Sequence, residues 1–168
     1  MQIAPTALFV YNRLEHTKRV IEALQKNVLA SESDLIIFSD GPKHEKDVKK
    51  IDEVRKYLKT IDGFKSIEIF EKENNLGLSN SIISGVTEVV NRYGKIIVLE
   101  DDLVVSPYFL EFMNNALVKY ENEEKVISIH GYIYPIKNKL PETFFIKGAD
   151  CWGWATWKRG WDLFEPNG

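Results

Sequence analysis

Val98-Leu99-Glu100-Asp101-Asp102-Leu103-Val104-Val105-Ser106-Pro107 is an apolar run that ends in three consecutive acids and then leads into a serine-proline pair. Lys95 to Glu100 reads as a strand apolar enough to be central in a sheet and covered on both faces. Three adjacent carboxylates at its end repel one another, and a divalent cation shared with a phosphate ligand relieves that repulsion. Adjacent residues on an extended chain point to opposite sides, so Glu100 and Asp102 are expected to face one way and Asp101 the other.

Working outward, strand and helix patterns alternate. Thr6 to Tyr11, Asp34 to Ser39 and Ser66 to Phe70 read as three earlier strands. Between them lie a helix with Leu14, Ile21, Leu24 and Val28 on one side and another with Val48, Ile51, Val54, Leu58 and Ile61. Ile82, Ile83, Val86, Val89, Val90 and Tyr93 mark a third helix, ahead of the acidic strand. Beyond it, Ser106 is expected as N-cap and Pro107 as first-turn residue of a helix carrying Phe109, Leu110, Met113, Ala116, Leu117 and Tyr120. Val126 to Ile129 and Thr143 to Ile146 read as two more strands, and Trp154, Trp157, Trp161 and Phe164 are spaced as one face of a helix. Successive β-α units imply right-handed crossovers and a mostly parallel α/β sheet of the three-layer α/β/α, Rossmann-like type.

In such a sheet ligands bind at the carboxyl ends of the strands. Tyr11-Asn12-Arg13, Ser39-Asp40-Gly41, Asn74-Asn75 and Glu100-Asp101-Asp102 all fall there. Asp40 is placed to hydrogen-bond the polar edge of a pyrimidine, and Arg13 to fork onto phosphate or stack on a base. Magnesium or manganese suits the acids, with Asp102 as direct ligand, Glu100 toward the ribose and Asp101 toward the transferred sugar. The bland alternatives are a solvated strand end, a simple turn at Asp40-Gly41 and a surface arginine at position 13. Asn74-Asn75-Leu76-Gly77 reads first as turn chemistry with positive φ at Gly77 or an Asn, and one amide, that of Asn75, as a ribose or sugar contact. His130 reads as a structural histidine, and Trp152 or Trp154 as a ring able to stack on a sugar face.

The chain has 168 residues, the length of one domain, with 22 basic and 25 acidic residues and a net charge of -3. No basic stripe is present to track a nucleic-acid backbone. The single cysteine, Cys151, excludes an internal disulfide and suits a reducing compartment. No apolar stretch approaches the roughly 20 residues of a transmembrane helix, and the N-terminus lacks a signal-peptide pattern. These features point to a cytoplasmic protein, with peripheral contact at the inner membrane as a further setting. The end of the chain soon after its aromatic stretch suggests a fragment of a longer enzyme.

The order and spacing of Tyr11-Asn12-Arg13, Ser39-Asp40-Gly41, Asn74-Asn75-Leu76-Gly77-Leu78 and Leu99-Glu100-Asp101-Asp102-Leu103, followed by Ser106-Pro107-Tyr108-Phe109, resemble a GT-A glycosyltransferase of the family 2 type. The acidic segment is similar to the Glu-Asp-Asp form of the DxD motif in N-acetylglucosaminyltransferase I and its bacterial relatives, and Cys151 to Trp157 to a stretch of bacterial members. The resemblance implies a GT-A fold, truncated at its C-terminus, in which residues 1–102 bind the nucleotide sugar and 103–168 begin an incomplete acceptor half. It implies metal-dependent, inverting transfer from a uridine diphosphate sugar to a hydroxyl of a carbohydrate or lipid-linked acceptor, in a setting such as polysaccharide biosynthesis. Tyr11, Asn12, Arg13, Asp40, Asn75, Glu100, Asp101 and Trp154 are the expected nucleotide-sugar residues and Asp102 the metal ligand. The catalytic base is expected beyond Gly168, with Asp150 as a weak candidate within the chain.

Three other functions fit the same fold class. A sugar-nucleotide pyrophosphorylase should carry a glycine-rich loop after its first strand, where this chain has Tyr11-Asn12-Arg13-Leu14. A phospho-receiver domain needs acids ending the first and third strands, whereas here they end the fourth. A nucleotide-sugar-binding module without turnover shares every donor-side feature.

Overall fold

The computed structural model describes residues 3–166. Six strands form one sheet: β1 (Thr6–Val10), β2 (Asp34–Ser39), β3 (Ser66–Glu71), β4 (Lys95–Glu100), β5 (Ser128–His130) and β6 (Trp154–Trp157). Their order is β3-β2-β1-β4-β6-β5. The first four are mutually parallel, while β6 runs antiparallel to both β4 and β5. The helices are α1 (Leu14–Gln25), α2 (Glu45–Leu58), α3 (Leu78–Tyr93), α4 (Phe109–Lys119) and a single turn, α5 (Lys158–Trp161).

Alternation along each central strand divides the core into two layers. Leu8, Val10, Leu35, Ile37, Ile97 and Leu99 pack with residues of α1, α2 and α4 on one face. Ala7, Phe9, Ile36, Phe38, Ile96 and Val98 pack with Val86, Val89 and Val90 of α3 on the other. On that second face Phe9, Phe38 and Phe70 stack in a row, with ring centroids 5.0 and 5.2 Å apart. Gly85 lets α3 settle onto the row, because a Cβ there would lie 2.8 Å from the Phe9 ring.

Four expectations are corrected. Trp154 and Trp157 belong to a strand rather than a helix: β6 pairs with β4 from Lys95↔Trp157 to Val98↔Trp154. Three residues apart on a strand, they point to opposite faces. Trp154 packs on the α3 side, stacked on Trp161 at 5.9 Å, whereas Trp157 enters the other layer and donates its indole N–H to the Leu117 carbonyl at 3.1 Å. Thr143 to Ile146 forms no strand; the segment is irregular and exposed, without the ladder partner a strand requires. Ser106 does not cap α4 with its side chain, since the helix begins at Phe109. Asn27 takes that role, its Oδ1 accepting the Leu110 N–H at 2.9 Å from the far end of α1. Finally, α1 ends at Gln25 and leaves Val28 exposed, and Val48 is exposed on α2.

Candidate active site

The carboxyl ends of β1, β2, β3 and β4 meet along one edge, and hydrogen bonds tie the polar segments found there to one another. Tyr11 follows β1 directly. Its N–H donates to Asp101 Oδ2 at 3.3 Å, crossing to the end of β4. Its hydroxyl donates to Asp47 Oδ2 at 3.2 Å and accepts the Lys43 N–H at 2.9 Å. Burial raises the Tyr11 phenol above its ordinary pKa, the Lys43 N–H opposes this, and the Asp47 charge adds to the rise. Asn12 donates its side-chain amide to Asp47 Oδ1 at 3.1 Å. Asp47, 8% exposed in the first turn of α2, thus holds two of the expected nucleotide residues with its two oxygens.

Asp40 is also buried and internally satisfied. Its Oδ1 accepts the N–H groups of Gly41 and Leu76, each at 2.9 Å, and its Oδ2 accepts the Asn75 amide at 2.9 Å and the Gly77 N–H at 3.0 Å. Asn75 also donates to the Gly41 carbonyl at 2.9 Å. The expected turn is present, with Gly77 at φ 77°. Arg55 fastens the same region from below, donating to the Ser39 and Asp40 carbonyls at 3.3 Å and to the Lys72 carbonyl at 2.7 Å. Neither Asp47 nor Arg55 stood out in the sequence. The one hint is that Arg55 adjoins Val54 on the buried face of α2.

The acids lie at the edge as expected, but not with the expected alternation. β4 ends at Glu100, and Asp101 and Asp102 form a turn in which one arginine reaches both. Arg13 places Nη2 on Asp101 Oδ1 and Nη1 on Asp102 Oδ2, the latter at 3.0 Å. The Asp101 side chain is 4% exposed, while those of Arg13 and Asp102 are each 43% exposed. Glu100 is half-buried, and its carboxyl is raised above the usual range by burial first, then by Asp102 and Asp101, with Arg13 opposing.

Among the described residues no three His, Cys, Asp or Glu side chains are set to hold a metal ion. Of the three acids, Asp102, the expected ligand, is the exposed one, and it stands beside the negative charge of the other two. That arrangement fits Mg2+ or Mn2+, which keep several waters and take one or two protein carboxylates together with phosphate oxygens.

On the β5–β6 side, Asp150 accepts the Tyr134 hydroxyl and the Trp152 N–H, both at 3.0 Å. The Trp152 N–H above all, and then Tyr134, hold its carboxyl below the ordinary value, which makes it a weak base. Trp154 is committed to its stack on Trp161, whereas Trp152 packs with Tyr132 and Tyr134 in an exposed aromatic cluster. His130 is partly buried, and burial lowers its pKa with Asp150 opposing. The expected position of the base, after Gly168, lies outside the described residues.

Known proteins share this architecture. A mannosyltransferase from Pyrobaculum calidifontis, solved with GDP-Man and Mn2+, superposes with TM-score 0.51 at 10% identity over 73% of this chain and 34% of its own. S. aureus TarS 1-349 in complex with UDP superposes with TM-score 0.50 at 12% identity over 89% of this chain and 46% of its own. The chain thus spans less than half the length of either, and the likeness establishes the GT-A fold. No curated protein sequence matches the chain. The sequence profile of Glycosyl transferase family 2 matches residues 7–159, from β1 through β6 and into α5, so the chain belongs to glycosyl transferase family 2.

Proposed function

We propose that this chain forms the donor-binding part of an inverting, metal-dependent glycosyltransferase that moves a hexosyl group from a uridine diphosphate sugar to a hydroxyl of a carbohydrate or lipid-linked acceptor. The observation that carries the reading is the Arg13–Asp101–Asp102 constellation, with one buried and one open carboxylate, at the strand edge where β1 and β4 end side by side. A diphosphate needs cationic partners, and the site offers a guanidinium and a carboxylate able to recruit a divalent ion. When bound at Asp102, that ion neutralises charge on the departing nucleoside diphosphate.

The chain's own residues divide the remaining work. Residues 1–102 supply the nucleotide side: Tyr11 and Asn12 form a wall braced by Asp47, Asp40 sets the Asn75–Gly77 turn against it, Glu100 approaches the ribose, and the enclosed Asp101 holds Arg13 in place. Residues 103–168 supply the start of the acceptor side, with Trp152 and Trp154 as the aromatic residues of the Cys151–Trp157 segment. The acidic turn serves as a DxD-type motif of the Glu-Asp-Asp form. A cytoplasmic setting, including the inner-membrane face in polysaccharide assembly, fits this chemistry, and no helix among the described residues is long and apolar enough to cross a membrane.

The structural neighbours carry different bases, GDP-Man in the mannosyltransferase and UDP in TarS, so the test must separate them. Calorimetric titration of UDP, GDP and their sugars, with Mn2+ and with chelator, should show metal-dependent UDP binding that Asp102→Ala abolishes in a folded protein. A folded protein that binds no nucleotide with Mn2+ present would overturn the reading.

A further inference from the structure

We infer that Arg13 is an internal counter-cation that competes with a divalent ion for Asp102, so that the ion binds tightly only once a diphosphate is present to receive the released guanidinium. This rests on the nucleotide-sugar reading above and deepens it, because it assigns the coupling between metal and nucleotide to one side chain.

The two halves of the Arg13 fork are unequal. Toward Asp101 the bond is enclosed: that carboxylate is 4% exposed and also accepts the Tyr11 N–H. Breaking it would strand a buried charge, which is strongly unfavourable. Toward Asp102 the 3.0 Å bond is open to solvent on both sides, each side chain being 43% exposed. Exposed ion pairs contribute little and are readily exchanged. The outer bond is therefore the one a cation can displace.

The arginine cannot simply leave when that happens. Its carbonyl accepts both the N–H and the hydroxyl of Thr17 at 3.0 Å, which fixes the backbone at the start of α1, and its Nη2 stays on Asp101. An ion at Asp102 consequently sits near a retained positive charge whose Nη1 has lost its acceptor. Like charges in proximity disfavour the metal-only state. A diphosphate oxygen reverses both penalties, since it ligates the ion and accepts the freed N–H in a charge-assisted bond. Three adjacent acids, Glu100, Asp101 and Asp102, face one guanidinium, which reaches two of them, so the site carries more negative than positive charge. Coupling of this kind is reciprocal, so each ligand strengthens the other by the same factor.

The test is Mn2+ binding to the full chain, followed by electron paramagnetic resonance of the free ion, with and without UDP. In Arg13→Gln, Mn2+ alone should bind about tenfold tighter, or ~1.4 kcal/mol, and the enhancement produced by UDP should shrink by about the same factor. Arg13→Lys, which keeps the charge and loses the fork, should fall between the two. If Arg13→Gln fails to fold because Asp101 is orphaned, the double variant Arg13→Gln/Asp101→Asn removes that charge, leaves Asp102 and should keep the part of the gain that comes from freeing Asp102 of its competitor. The double variant also keeps Asp101 from acting as a new ligand. Unchanged Mn2+ affinity in the folded variants, alongside metal-dependent UDP binding in the wild type, would overturn the role of Arg13 and leave the proposed function standing. A wild-type chain that binds neither Mn2+ nor UDP would overturn both.

Discussion

The carboxylate of Asp40 and the backbone N–H of Leu76 meet at 2.9 Å across 36 residues of sequence. That bond, with those from Gly77 and Asn75, converts the end of β2 and the turn after β3 into one rigid wall of the crevice. Asp40→Asn puts a donor where two backbone or amide donors already converge. Loss of about 1–3 kcal/mol of stability is expected, from unpaired buried groups. Urea denaturation read by tryptophan fluorescence measures it; full stability with altered base preference would place Asp40's main role on the nucleotide instead.

Gly41 makes the same wall possible by backbone contact. A Cβ at this position would lie 2.5 Å from the Asn74 carbonyl carbon and 2.7 Å from the Glu73 oxygen, against backbone that cannot yield cheaply. Gly41→Ala should destabilise the fold by roughly 1–3 kcal/mol, as overpacking does. Gly94→Ala is not an equivalent control, because Gly94 has φ 78° and open space around it, so its cost is conformational. A fall in thermal midpoint for Gly41→Ala, accompanied by weaker UDP binding, is the expected pairing.

Asp47 touches Tyr11 and Asn12 and lies outside every expected contact with ligand. Asp47→Ala should release both side chains and weaken UDP binding by roughly fivefold to thirtyfold, or about 1–2 kcal/mol of lost positioning. Asp47→Asn, which can still accept from one partner, should recover part of the loss. Calorimetry on the two variants, with circular dichroism to verify folding, distinguishes positioning from a general loss of structure.

Glu100 supplies a pH-dependent test. Its folded pKa is raised, by burial first and then by Asp102 and Asp101, so the folded state binds its proton more tightly than the unfolded chain. Ionised Glu100 therefore opposes folding above its folded pKa, and the penalty vanishes below the unfolded value near 4.5. In metal-free buffer Glu100→Gln should raise the thermal midpoint at pH 7 and leave it nearly unchanged at pH 4. A variant that lowers the midpoint at pH 7 would show that the Glu100 carboxylate stabilises the folded chain.

Strands β1 to β4, helices α1 to α4 and the parallel sheet were legible in the sequence because each buries a periodic apolar pattern whose period differs between strand and helix. The shared edge of strand ends followed from topology alone, which is why Tyr11, Asp40, Asn75 and the acids come together there in the fold. Trp154 and Trp157 could not be assigned that way. A strand buried on both faces presents the same apolar spacing as a short helix, and the pairing of β6 with β4 settles the matter only in three dimensions. Asn27 on α4, Arg55 on Lys72 and Asp47 on Tyr11 are likewise contacts between side chains and groups distant in the chain, without a local signature. Local pattern thus determined which segments are strands, helices and strand-end loops. Tertiary structure alone decided how their polar groups are partnered, including that Arg13 spans Asp101 and Asp102, because hydrogen bonding depends on distances that only the packed sheet brings within reach.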